Sequence, residues 1–246
     1  MTSDTNTSTA RLLRGRIKNL RKTRCRRDFV FTERDRANMG ATAIAAGLAG
    51  LGGIAAGLGA MSIDTTEEAD LLEFELDGML VKAWVWVSVF KEGDEVEVVA
   101  EPDGDDWLGY GIRRISDRIV ALHPHCSRGR YAHFRASARW WFRISAGILL
   151  IVYAIVAVTA LLQSLPLQDW PTLVLACALG GAGSFLILGF VAYRVSSNFS
   201  GFTRLAEGIF QVFGWKNVRD IDLPAITKKT KTPEDPGALG VLYFRY

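Results

Sequence analysis

Apolar positions fall along this chain in three different patterns. The first is continuous. Residues 144–162 are nineteen uncharged residues, eleven of them Ile, Leu or Val, and residues 171–193 are twenty-three uncharged residues. At about 1.5 Å per residue, each segment as a helix crosses about 30 Å of hydrocarbon. The connection QSLPLQDW is short, polar and contains Pro166, so the pair predicts a tight transmembrane helical hairpin. The second pattern is alternation. FELDGMLVKAWVWVSVF alternates around an Asp77-Gly78 turn, with Met79, Val81, Ala83, Val85 and Val87 on one face and Trp84 and Trp86 on the other. EGDEVEVVAE, DWLGYGIRRI and DRIVALHP follow, separated by turn residues. Five short strands in about fifty residues predict a small closed or half-closed barrel of the OB or SH3 type. The third pattern has three- and four-residue spacing. Phe202, Leu205, Ile209 and Val212 share the face of a helix closed by Gly214. That face can lie on a membrane or on the barrel. KKTKTPEDPG reads as a loop, and the last residues, VLYFRY, as a further strand.

A third uncharged stretch, AIAAGLAGLGGIAAGLGA, has the length of a span but few bulky side chains. Residues 39–61 hold five large aliphatics, Ile44, Leu48, Leu51, Ile54 and Leu58. At ~0.5 kcal/mol each they favour insertion by roughly 2.5 kcal/mol, against about 5.5 for residues 144–162. Seven glycines weaken it further as a lone helix. Ala41, Ala45, Ala49, Gly53 and Gly57 nevertheless recur every fourth residue, and Ala176, Gly180 and Ser184 repeat the spacing in the hairpin. Such small-residue stripes let helices approach closely and predict self-association, with a pore as one outcome. The alternative is a stretch packed on the hairpin of its own chain.

Charge changes the picture in two ways. A net charge of +3 conceals three blocks of alternating sign: nine basic and no acidic residues in 11–27, fifteen acidic residues in 62–112, and eight arginines against Asp117 in 113–143. Arginines flank the hairpin on both outer sides, while its loop carries only Asp169, so the positive-inside rule places both flanks in the cytoplasm. Trp140, Trp141, Arg143 and Trp170 are the expected interfacial anchors. A simple third span at 39–61 would then put either the basic N-terminus or the arginines of 113–143 outside. The stretch is therefore expected to be non-spanning or re-entrant, a tight double pass, or inserted only in another state. The polar N-terminus, followed by arginines, lacks the flanks of a cleavable signal peptide.

The basic block 11–27 reads as a helix with Leu13, Ile17 and Leu20 on one face. Its Arg11, Arg14, Arg16, Lys18, Arg21 and Lys22 are then candidates for anionic lipid headgroups. Nucleic acid would have to be held by charge alone, and none is expected as a partner. A strand at DFVFT is the competing structural reading. His123, His125 and Cys126 in ALHPHCSRGRYAHF are competent zinc ligands, but their spacing matches no standard site. Three widely spaced cysteines make no disulfide framework. Nucleophile-elbow, P-loop, H-E-x-x-H and dinucleotide motifs are all missing from the sequence. No catalytic residue, metal or cofactor is assigned, and a non-enzymatic protein is expected.

The order of TRCRRDFVFTERDRANMG, the Gly/Ala-rich stretch, FELDGMLVKAWVWVSVFKEGDEVEVVAE, SDRIVALHPHCSRGR and WWF resembles a proteobacterial family of type VI secretion effectors that are membrane proteins. The resemblance covers roughly residues 20–215, and DRIVALHPHCSRGR is its most specific part. EGDEVEVV is more weakly similar to the OB modules of NfeD-type membrane proteins. The resemblance implies an inner-membrane protein with a cognate immunity protein or secretion-apparatus protein as partner.

The expected molecule is an α+β membrane protein, multi-pass in the bacterial inner membrane, with barrel and C-terminus cytoplasmic. Its parts are a basic arm at 1–38, a Gly/Ala-rich hydrophobic helix at 39–61, and an OB/SH3-like barrel module at 62–125. A basic membrane-proximal segment at 126–143, the hairpin at 144–193, and an amphipathic helix with tail at 194–246 complete it. The leading expectation is a lipid-bound, homo-oligomeric, membrane-acting effector that can form a pore. The alternative is a resident inner-membrane scaffold whose barrel binds a protein partner.

Overall fold

The computed structural model describes residues 10–27 and 67–246. The stripe Ala41, Ala45, Ala49, Gly53 and Gly57 and the DFVFT stretch lie outside the described residues. Seven strands are described: β1 (Arg11–Arg27), β2 (Glu67–Leu76), β3 (Met79–Val85), β4 (Glu95–Asp103), β5 (Asp106–Arg114), β6 (Ile119–Leu122) and β7 (Phe244–Arg245). Strands β3-β2-β1-β4-β5 pair in that order, and β3 closes on β5 in parallel at Val81↔Trp107 and Ala83↔Gly109. The result is a closed five-stranded barrel, with β6 and then β7 extending from the far part of β5. The Asp77-Gly78 turn joins β2 to β3 as expected, with φ of 46° and 85°. Val81, Ala83 and Val85 point into the barrel core, together with Leu72, Phe74, Val96, Val98 and Ile112.

β1 corrects the sequence reading. Residues 11–27 form the strand between β2 and β4, not a lipid-facing helix. The helical spacing of Leu13, Ile17 and Leu20 has a local cause. A bulge between Lys18 and Arg21 adds a residue and returns Leu20 to the inner side. Asn19 sits in this bulge at φ 54°, and the Glu92 carboxylate accepts the N–H groups of Asn19 and Leu20 at 2.9 Å each. The six residues assigned to lipid headgroups are barrel residues. Arg14 lies opposite Glu97, Arg16 opposite Glu95, Lys18 opposite Glu75 and Arg21 opposite Glu73. Arg11 and Lys22 are on the same strand, and Lys22 Nζ lies 2.9 Å from Asp70. The basic and acidic blocks thus find each other as neighbouring strands, where opposite charges each contribute a few tenths of a kcal/mol, up to about 1. The barrel accordingly takes one strand from the arm at 1–38, ahead of the 62–125 module.

The helices are α1 (Arg130–Leu162), α2 (Trp170–Asn198), α3 (Ser200–Val212) and α4 (Leu223–Thr230). α1 and α2 form the expected hairpin, joined through a 3-10 turn at Leu167–Asp169. α1 begins about four turns before its apolar part, so the helix is continuous from the barrel exit to the hairpin tip. Tyr153 Oη donates to the Cys177 carbonyl at 2.8 Å, bridging the two helices. A Cβ on Gly181 would lie 1.6 Å from that hydroxyl, so only glycine leaves room for the bridge. Ala176, Gly180 and Ser184 instead face outward, and a Cβ on Gly180 would meet nothing within 4 Å. The small-residue stripe of α2 is therefore not the face that packs on α1.

α3 lies on the barrel. Ile209, Phe210 and Phe213 join Val99, Val120, Leu122, Cys126, Leu223 and Phe244 in a second core outside the barrel wall. VLYFRY supplies β7, as expected.

Candidate functional site: the junction of barrel and hairpin

The chain leaves β6 through HPHCSRGR and enters α1 without a flexible linker. Three elements meet there: the barrel rim, the base of the hairpin, and the segment around α3 and α4. Backbone pairing fixes the first contact. The Gly129 N–H donates to the Ile221 carbonyl at 2.9 Å, and the Leu223 N–H to the Ser127 carbonyl at 3.2 Å. At Gly129 the strands approach so closely that a Cβ would lie 2.1 Å from the Val218 carbonyl oxygen.

Arginines fix the second contact. Arg128 Nε donates to Asp222 at 2.9 Å, and Asp222 also caps α4 by accepting from the Ala225 N–H. Arg135 pairs with Asp220 at 2.7 Å. Glu207, buried on α3, accepts the Arg130 N–H at 2.8 Å and the Arg130 guanidinium at 3.1 Å. Its carboxylate thus closes the N-terminus of α1, where unpaired N–H groups and the helix dipole favour an anion. Part of the basic membrane-proximal segment at 126–143 is therefore paired within the protein. Arg143 is exposed, with its guanidinium over the Trp140 ring at 5.8 Å.

All three histidines of the chain converge here. His125 Nε2 lies 2.8 Å from Glu67, and its ring packs against Trp86, Phe199 and Phe202 with centroids 5.1–5.6 Å apart. His123 stacks on Phe202, and His133 Nε2 shares a hydrogen bond with Ser196 Oγ at 3.0 Å. The His125, His133 and Phe199 rings border a small cavity of about 170 Å³, together with Ser127, Arg128 and Thr203. Trp86, placed by its alternation on the face opposite Val85, packs edge-on against His125.

The candidate zinc ligands do not form a metal centre. Among the described residues no group of three His, Cys, Asp or Glu side chains is placed to hold a metal. Cys126 is buried in the second core, and burial pushes its thiol well above the ordinary range, so it behaves as a small core residue. Among the residues expected as interfacial anchors, Trp140 is exposed, Trp141 packs on Phe185 with ring centroids 4.4 Å apart, and Trp170 is partly covered at the tip.

Sequence reasoning missed Glu67, Gly129, Phe199, Glu207, Asp220 and Asp222. One signal was available: Glu207 falls between Thr203 and Phe210 on the buried side of an amphipathic helix, where an acid needs a partner.

Comparisons with protein-family models, curated proteins and solved structures find no match. The molecule is therefore classed by its own geometry: a closed β-barrel fixed to the base of a hairpin of two helices long and apolar enough to cross a membrane.

Proposed function

We propose that this protein is a non-enzymatic membrane scaffold. The hairpin anchors it in the bilayer as two passes, and the junction holds the barrel at the membrane surface for a protein partner. One observation carries the reading. The most apolar eighteen-residue windows of α1 and α2 have mean hydropathies of 2.6 and 2.2, yet only 11% and 6% of them are buried. Leu150, Ile155, Leu161 and Leu162 on α1 are each more than half exposed. Leaving such side chains in water forgoes about 2 kcal/mol apiece. Lipid provides the missing environment and leaves both helices their internal hydrogen bonds.

Arg139, Arg143, Arg194 and Arg204 are exposed toward the base, while the tip carries Asp169, which favours a cytoplasmic barrel.

The effector reading has its own support in the outward stripe Ala176, Gly180 and Ser184, a face suited to close helix approach. The hairpin offers no charged stripe to line a pore, and the rigid junction suits a fixed display of the barrel, so the scaffold is preferred. Expression in bacteria separates the two. The scaffold stays in carbonate-washed membranes and leaves a potential-sensitive dye unchanged. Release by carbonate overturns the anchor, and depolarisation abolished by Gly180→Leu replaces the scaffold with the effector.

A further inference from the structure

A groove of about 420 Å³ opens where the turn after β5 meets α4 and the residues that follow α3. Its floor is aromatic and aliphatic. The Trp215 and Tyr246 rings lie with centroids 5.1 Å apart, and Leu223 and Ile226 complete the floor from α4. Packing fixes the two rings. Trp215 lies against Phe210 and Phe213 of the second core, and the Tyr246 N–H donates to the Arg118 carbonyl at 3.1 Å. Two cations, Arg118 and Lys216, also line the groove, and no Asp or Glu side chain does. Both cations are exposed, and neither pairs with a carboxylate among the described residues. Nearby arginines differ. Arg113 pairs with Glu97, Arg114 with Asp94 and Asp117, and Arg245 with Asp235. Arg118 also sits at φ 56°, a left-handed conformation that favours glycine or asparagine. The backbone there does not call for an arginine. Its guanidinium is held 5.5 Å from the centroid of the Tyr246 ring.

We propose that this groove is the docking site for a segment of a protein partner in which an acidic residue flanks an aromatic or large aliphatic one. The apolar side chain lies on Trp215 and Tyr246, and the carboxylate pairs with Arg118 and Lys216. Trp, Tyr and Arg are the side chains that most often carry the binding energy of protein interfaces. Placement favours a protein over a lipid. Ile221 lines the groove, and its carbonyl holds the Gly129 N–H at the start of α1. From Arg130, α1 runs about 20 Å before the uncharged segment begins at Ile144. With the hairpin in a bilayer, the groove therefore lies in water, out of reach of acyl chains. Nucleic acid calls for a longer track of cations along its phosphates. The proposal rests on the scaffold reading and names the surface on which its partner docks.

The test is panning of a phage-displayed library of random peptides on the full chain purified in detergent. Wild type is expected to enrich peptides in which Asp or Glu flanks an aromatic or large aliphatic residue. The most enriched peptide, synthesised with a fluorophore, is then titrated by fluorescence anisotropy. Arg118→Gly removes one cation at a position whose backbone favours glycine, and Lys216→Glu reverses the other at an exposed site, so neither change disturbs the core. Each should weaken binding about tenfold, as for one lost charge-assisted hydrogen bond. Replacing the peptide's acids by their amides should weaken it alike. No enrichment, or enrichment without acidic residues, overturns the proposal. Binding that both variants leave unchanged overturns this groove and leaves the scaffold another docking face. Tighter, variant-sensitive binding of phosphatidylglycerol vesicles or of a deoxythymidine oligonucleotide reassigns the groove and also overturns it. The membrane anchor fails separately, on release of wild type by carbonate, which leaves the peptide measurement in detergent intact.

Discussion

Replacing Gly129 with alanine is expected to destabilise the protein by about 3 kcal/mol, at the upper end for an overpacked site. The added Cβ would meet the Val218 carbonyl oxygen at 2.1 Å and the Arg219 carbonyl group at 2.7 Å. These are backbone atoms, so no side chain can swing aside. Relief requires the 127–129 segment to part from residues 218–222. That movement breaks the Gly129–Ile221 hydrogen bond and pulls Arg128 from Asp222. The midpoint of thermal unfolding, followed by near-ultraviolet circular dichroism, should fall by roughly 10 °C for a chain of this size. Gly208→Ala is the control. Its Cβ meets nothing within 4 Å inside α3, so it should be neutral or raise stability by up to about 1 kcal/mol.

The second large effect is at Asp70. Its carboxylate is buried in the barrel wall and accepts from Lys22 at 2.9 Å, Arg24 at 3.0 Å and the Ser88 N–H at 2.7 Å. Asp70→Ala orphans the Ser88 N–H and removes both ion pairs. Lys22 and Arg24 are nearly half exposed, at 45% and 44%, so water rehydrates them. The cost is therefore below that of a sealed pair, about 2–3 kcal/mol. Burial pushes the Asp70 carboxyl up, but hydrogen bonds from Lys22, Ser88 and Arg24 outweigh it and hold the group below its ordinary range. A depressed folded value stabilises the protein above the unfolded value of about 3.9. That stabilisation is lost as pH falls through the folded value. Asp70→Asn should therefore be less stable than wild type at pH 7 and lose less stability between pH 5 and pH 3. Asp117 and Asp235 are depressed in the same direction, Asp235 to about 2, so part of the acid sensitivity remains in the variant. A variant with the full wild-type acid slope would place the sensitivity elsewhere.

Elements set by near neighbours were readable. The Asp77-Gly78 hairpin, β4 to β6, α3 and the apolar hairpin all follow from local period and turn chemistry. β1 was misread because its bulge gives Leu13, Ile17 and Leu20 a helical spacing. The α2 stripe Ala176, Gly180 and Ser184, read for contact with another helix, faces outward, and the contact with α1 falls one residue further on, at Cys177 and Gly181. Gly180 and Gly181 are indistinguishable by composition, yet only Gly181 receives the Tyr153 hydroxyl. The junction could not be read, because its bonds join residues 77 positions apart at Arg130–Glu207 and 94 apart at Arg128–Asp222. Charge blocks hinted that such partners exist, but not which acid meets which arginine.

If the reading proposed above holds, the hairpin crosses the membrane with the barrel on the cytoplasmic side. Single cysteines introduced as Gln168→Cys at the tip and Lys91→Cys on the barrel, in a C25S/C177S background, test it. Buried Cys126 stays in place. Bacterial spheroplasts expressing each variant are treated with a membrane-impermeant maleimide. Labelling is expected at position 168 in intact spheroplasts and at position 91 only after permeabilisation. Labelling of both positions before permeabilisation, or of position 91 alone, would contradict it.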